Sequence, residues 1–151
     1  MGRDRWGNGG LTLGRVLGVD LGERRIGLAL SDPLGITASP LAVLERTSDR
    51  AADHRAILAA AHEAGAERIV VGLPLSLSGG EGPAARAVRE EIDAIGALGL
   101  PVEAHDERLT TVTAERVLSA GGVRGRARRQ RVDKVAAAVI LQSWLDGRRS
   151  P

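Results

Sequence analysis

Apolar and polar positions along this chain follow two rhythms, one of strands and one of helices. RVLGVD at 15–20 and RIGLALS at 25–31 are short apolar runs joined by a Gly-containing turn, which predicts an antiparallel hairpin. Ile36 to Leu44 predicts a third strand, and Pro40 within it favours an edge or bulged position. Ser48 or Asp49 can cap a helix that runs to about Ala64, stops at Gly65 and carries Ile57, Leu58 and Ala61 on one side. ERIVVGL at 67–73 is continuously apolar after its first two residues, as suits a central strand covered on both faces, and Pro74 ends it. A Ser- and Gly-rich loop over 76–83 leads to a helix over about 84–98, with Val88, Ile92, Ile95 and Leu98 at helical spacing.

Pro101 to His105 predicts a fifth strand, running directly into Asp106-Glu107. Thr110 or Thr111 can cap a further helix ending at Gly121-Gly122. A last helix is expected to begin between Arg128 and Val132 and to reach about Leu145, with Val132, Val135, Ala136, Val139, Ile140 and Trp144 as its apolar stripe. A meander of strands followed by alternating strands and helices predicts one mixed sheet with helices on its faces. The expected organisation is a polar, disordered extension over 1–14, a single domain over 15–147 and a short tail over 148–151.

Composition narrows the chemistry. The 151 residues are 43% apolar, yet include only two Trp and no Phe or Tyr, so Val, Leu, Ile and Ala must build the core and aromatic base-stacking platforms are not expected. With no cysteine, disulfides, thiol catalysis and zinc–cysteine sites are excluded. Neither a transmembrane run nor a signal peptide is evident, and a cytoplasmic location is expected. Formal charge is +2, but Arg124, Arg126, Arg128, Arg129, Arg131 and Lys134 crowd one segment with Asp133 as the sole acid among them. Such a cluster suits either phosphates or a solvated surface.

Three acidic places stand out because each adjoins an apolar element: Asp20, Asp106-Glu107 and Asp133. A carboxylate at the inner end of a buried strand is costly without a compensating partner. Asp20 shares a face with Val16 and Gly18, and Gly18 leaves space beside it. Asp106 and Glu107 stand where a strand ends, the place at which open sheets gather ligands. Asp133, expected in the first turn of the last helix, could be carried to the same place. Three carboxylates from separate elements would suit magnesium or manganese. Each also has a plain structural explanation: a turn hydrogen bond for Asp20, pairing with Arg108 for Asp106 or Glu107, and the helix dipole for Asp133. His54 and His62 read as exposed helix residues, and His105 as a neighbour of the acidic pair. The 76–82 loop lacks the phosphate-loop pattern.

Taken in order, VDLGERRIGLALSD at 19–32, ASPL at 38–41, IVVGLPLSLSGGEG at 69–82, DERLTT at 106–111 and VDKVAAAVILQSWL at 132–145 resemble the YqgF family, itself similar to RuvC-type Holliday-junction resolvases. The resemblance spans about residues 15–146. It implies a ribonuclease-H-like α/β fold, with a five-stranded mixed sheet whose first three strands are antiparallel and with helices on both faces. It also implies a magnesium- or manganese-dependent nuclease acting in 5′-end maturation of pre-16S rRNA, with Asp20, Glu107 and Asp133 as catalytic metal ligands and Asp106 and His105 beside them. Arg24, Arg25 and Arg108 are candidate phosphate contacts, and the 124–131 segment with Lys134 a candidate backbone track. Alternatives are a resolvase acting on branched DNA and a non-catalytic rRNA-binding assembly factor; monomer and homodimer are both open. His105 departs from the family pattern, where an apolar or aromatic residue is more usual.

Overall fold

The structure is a computed structural model that describes residues 14–76, 78–110 and 126–149. Five strands form one sheet: β1 (Arg15–Leu21), β2 (Arg25–Ser31), β3 (Ala38–Glu45), β4 (Ala66–Leu73) and β5 (Val102–Asp106). Their spatial order is β3-β2-β1-β4-β5. The β1–β2 and β2–β3 pairs are antiparallel, whereas β4 and β5 run parallel to β1. The ribonuclease-H-like arrangement expected from the sequence is therefore present. β3 is an edge strand, and its register shifts opposite Leu28 and Ala29, where Pro40 sits. That is the bulged edge its proline requires.

Helices α1 (Arg50–Glu63) and α2 (Pro83–Gly96) cover one face, and α3 (Arg126–Arg149) covers the other. The strand alternation decides which residues each face buries. Leu17, Val19, Ile26, Leu28, Ile69 and Val71 meet Ile57 and Ala61 of α1 and Val88, Ile92 and Ile95 of α2. Val16, Ala29 and Val70 meet Ala137, Leu141, Trp144 and Leu145 of α3.

Three boundaries differ from expectation. α2 ends at Gly96, so Leu98 lies past the helix and is exposed, because Ala97 caps the chain before Gly99 takes a φ of +129°. α3 starts at Arg126 and continues to Arg149, since the Arg-, Ala- and Gln-containing stretch ahead of Val132 consists of good helix formers. Asp133 consequently sits two turns into the helix, and the dipole of a first turn is not what holds it. His54, expected on an exposed surface, is buried at 6% exposure. The helix expected after Thr110 and the N-terminal extension lie outside the described residues. Among the described residues no helix is long and apolar enough to cross a membrane.

Candidate active site

Asp20 ends the inward face of β1 and is 2% exposed. Its lateral neighbours have no side chains. Gly27 of β2 is its register partner, and Gly72 of β4 lies one step beyond the Val19–Val71 pair. A Cβ at Gly27 would fall 2.2 Å from the Asp133 carbonyl oxygen, and one at Gly72 would fall 2.6 Å from Ile140 Cδ1 and 3.0 Å from Glu107 Oε2. Further back, a Cβ at Gly18 would fall 2.7 Å from Leu141 Cβ. The missing side chains let α3 lie directly on the sheet beside Asp20. The Asp133 backbone passes over Gly27, and the Glu107 side chain lies over Gly72. The sheet thus brings together the three acidic positions singled out in the sequence, from β1, the end of β5 and α3.

Glu107 is 5% exposed and opens a single 3-10 turn, Glu107–Leu109, directly after β5. Thr110 secures that turn, its hydroxyl donating to the Glu107 carbonyl at 2.8 Å. Asp106 caps the same turn, accepting from the Arg108 amide at 2.9 Å, while the Arg108 guanidinium folds back onto it with Nη2 2.6 Å from Oδ2. Hydrogen bonding from Arg108 holds the Asp106 carboxyl below its usual range. The pairing alternative considered for Asp106 is the arrangement present.

Asp133 is held by Arg25, whose Nε donates to Oδ2 at 2.7 Å, with both side chains about one-fifth exposed. Beside this pair a cleft of about 300 Å³ opens between Gly22, Glu23, Arg24, Arg25 and Asp133. His105 is the register partner of Gly72, and its Nε2 lies 2.9 Å from Ser143 Oγ of α3. Burial lowers its pKa against the opposing pull of Asp106 and Glu103. Arg24 is exposed at the hairpin tip and Lys134 is half-buried. The backbone of Arg126, Arg128, Arg129 and Arg131 forms the two turns of α3 that precede Asp133. Arg124 lies outside the described residues.

A hard divalent cation takes carboxylate oxygens. The donors fit that preference: two buried carboxylates, Asp20 and Glu107, beside a third on α3. Among the described residues no three acidic or histidine side chains stand close enough to ligate one ion as they are arranged. Asp133 would have to turn from Arg25 toward Asp20 and Glu107 to complete a set.

Sequence reasoning missed a second polar cluster on the opposite side of the hairpin. Arg46 Nη1 and Nη2 donate to Glu91 Oε1 and Oε2 at 2.8 and 2.9 Å, and His54 Nε2 lies 2.7 Å from Glu91 Oε1. The signal was available: Glu91 falls on the apolar stripe of its helix, between Val88 and Ile95, where a charge needs a buried partner.

Comparison with known proteins gives the family. The RuvX pattern, described as a Holliday junction resolvase, matches residues 14–147. A Chloroflexus aggregans protein named "Putative pre-16S rRNA nuclease" is 46% identical over 138 residues, spanning 90% of this chain and 96% of that one. An Anaeromyxobacter protein of the same name is 50% identical over 137 residues, spanning 90% and 99%. The T. thermophilus RuvC structure in complex with Holliday junction substrate superimposes with a TM-score of 0.54 at 20% identity, covering 89% of this chain and 95% of that one, a likeness of fold. Glycine-flanked Asp20, the turn after β5 and the docked last helix are thus features of a chain that belongs to the RuvX family, the group that its motifs indicate under the name YqgF.

Proposed function

We propose that this protein is a nuclease that hydrolyses phosphodiester bonds of precursor 16S rRNA at its 5′ end, with magnesium or manganese as cofactor, in the cytoplasm. The observation that carries the reading is the convergence beside buried Asp20 of the Glu107 side chain, which lies over Gly72, and of the α3 backbone at Asp133, which lies over Gly27. The names borne by relatives near half identity support precursor rRNA as the substrate.

Asp20, Glu107 and Asp133 would hold the cation, which supplies a polarised phosphoryl oxygen and an activated water. Arg25 has two roles in this reading. It neutralises Asp133 in the resting arrangement and, once that carboxylate turns inward, offers its guanidinium to a phosphate at the cleft. Arg24 at the hairpin tip and Arg108 beside the 76–80 loop flank the same edge. The segment 124–131 and Lys134 lead the nucleic-acid backbone toward Asp133, binding phosphates in a way that positions without reading bases. Burial keeps His105 uncharged near neutrality, so it borders the site without adding positive charge to it.

The test is cleavage of a precursor 16S rRNA 5′ fragment and of a four-way DNA junction side by side, with wild type, Asp20→Asn and Asp133→Asn, in magnesium and in manganese. Cutting of the RNA by wild type and its loss in both variants is expected. Preferential cutting of the junction would replace RNA by branched DNA as substrate. RNA binding without any cutting would make the protein an assembly factor, and Asn variants that cut as well as wild type would refute the metal site.

A further inference from the structure

The turn between Asp20 and Arg25 is gripped from outside the site. Arg46, at the end of β3, donates from its backbone amide to the Arg24 carbonyl at 2.8 Å and from Nε to the Gly22 carbonyl at 3.0 Å. Its two terminal nitrogens form the fork-to-fork pair with Glu91 of α2, and its side chain is only 8% exposed. Glu91 is fixed in turn by His54 and Arg50 of α1, while Asp53 of α1 lies 3.8 Å from Arg46 Nη1 and accepts from the Thr47 amide and hydroxyl. A guanidinium is planar, so anchoring its two terminal nitrogens on Glu91 also aims Nε. The atom it aims at is the carbonyl of Gly22, two residues after Asp20 and three before Arg25, the residue that holds Asp133.

We infer that Arg46 is a positioning residue for catalysis: with Glu91 it braces the Gly22–Arg25 turn against α1 and α2 and so fixes where Asp20 and the Arg25–Asp133 pair stand. Among the described residues Arg46 and Glu91 bond to the turn and to α1, not to Asp20, Glu107 or Asp133, so their effect on chemistry passes through the turn. Arg46 and Gly22 lie in different segments, and only the bulged, antiparallel β2–β3 pairing brings the end of β3 back over the hairpin tip. Lysine in place of Arg46 keeps the charge, but a single ammonium cannot serve both Glu91 oxygens and the Gly22 carbonyl.

The inference rests on the nuclease reading for its consequence, not for its structural claim, and two measurements on the full chain separate them. The first is amide hydrogen exchange by NMR at Gly22, whose N–H donates to the Arg25 carbonyl at 3.0 Å, with Val19 and Leu28 in the sheet as references. Arg46→Lys is expected to speed exchange at Gly22 about tenfold or more beyond any rise shared by Val19 and Leu28, the pattern of local opening on top of global destabilisation. The second is cleavage of the precursor rRNA fragment: kcat is expected to fall about tenfold or more with KM within about threefold, because geometry and not binding is impaired. Unchanged exchange at Gly22 overturns the inference, as does a wild-type kcat in a variant whose Gly22 exchange has risen. If wild type cuts neither RNA nor junction, the nuclease reading fails and exchange alone decides whether Arg46 sets the turn. If Arg46→Lys does not fold, Glu91→Gln takes its place, with exchange at Gly22 expected to rise beyond that at Val19 and Leu28 and an equal rise at all three refuting the brace.

Discussion

Gly27→Ala tests the construction of the site most directly. The added methyl would stand 2.2 Å from the Asp133 carbonyl oxygen and 2.8 Å from its carbonyl carbon, whereas separations under 3.0 Å are essentially never seen. Both opposing atoms are backbone, so no side chain can swing away. The helix must lift from β2 by about 1 Å, or the strand must sink into its own face, where Ile26 and Leu28 are fully buried. Overpacking of this kind costs about 1–3 kcal/mol. For a chain of this size that corresponds to a melting point lower by roughly 2–12 °C. The functional loss should be larger in proportion, because Asp133 rides on the displaced backbone and a shift of about 1 Å in a catalytic group costs on the order of 100-fold in rate. Thermal unfolding followed by circular dichroism and cleavage at saturating RNA measure the two effects. Gly147→Ala is the control: it lies in the same helix with nothing within 4 Å of the new methyl. It should gain about 0.5–1 kcal/mol and keep the wild-type rate. A Gly27→Ala protein that melts and cuts like wild type would refute the close seating of α3 on the sheet.

Other perturbations separate stability from chemistry. Asp20→Asn should lower the cleavage rate by about 10²-fold or more, corresponding to the several kcal/mol of transition-state stabilisation attributed to a bound cation, while leaving the chain folded. Burial pushes the Glu91 carboxyl up, but hydrogen bonds from Arg46 and His54 and the charges of Arg46 and Arg50 outweigh it and hold it below its ordinary value. A depressed carboxyl contributes stability that is present at neutral pH and is lost as pH falls below about 4.5. Glu91→Gln should therefore cost about 3 kcal/mol or more at pH 7 and flatten the acid limb of a denaturant-midpoint profile. Replacing Arg126, Arg128, Arg129 and Arg131 together with Gln should weaken RNA binding and reduce the salt slope by about 0.7 for each phosphate of single-stranded RNA that is no longer neutralised; an unchanged slope would remove this segment from the interface.

The parts of the fold written in local pattern were legible in the sequence. Alternation along 15–20 and 25–31, the apolar run 69–73 and the proline in β3 lead to the hairpin, the central strand and the bulged edge. Asp20 and the Asp106-Glu107 pair stood out for the same reason, since charges at apolar strand ends break the pattern; that Glu107 is the buried member of the pair depends on the fold. What escaped depended on partners distant in sequence. His54 looks like any polar helix residue until Glu91, 37 positions away, closes on it. Arg46 follows a strand and gives no hint that it reaches the Gly22 carbonyl. The start of α3 lies earlier than its charge pattern suggests, because the Arg, Ala and Gln residues of the basic segment also favour a helix. Gly27 and Gly72 could be read as interruptions in strands, but what fills the space above them required the docked helix.

That docking has a consequence for when the site can exist. Asp20 belongs to β1 and Asp133 to α3, so these acidic positions come together only after the whole sheet has left the ribosome. Domains fold largely as units. A nascent chain that carries all five strands still lacks α3, the helix that covers one face of the sheet and bears Asp133. On the nuclease reading, unfinished chains would lack the third carboxylate of the site. Truncation ahead of α3 should likewise yield a chain without this chemistry, however well its sheet were formed.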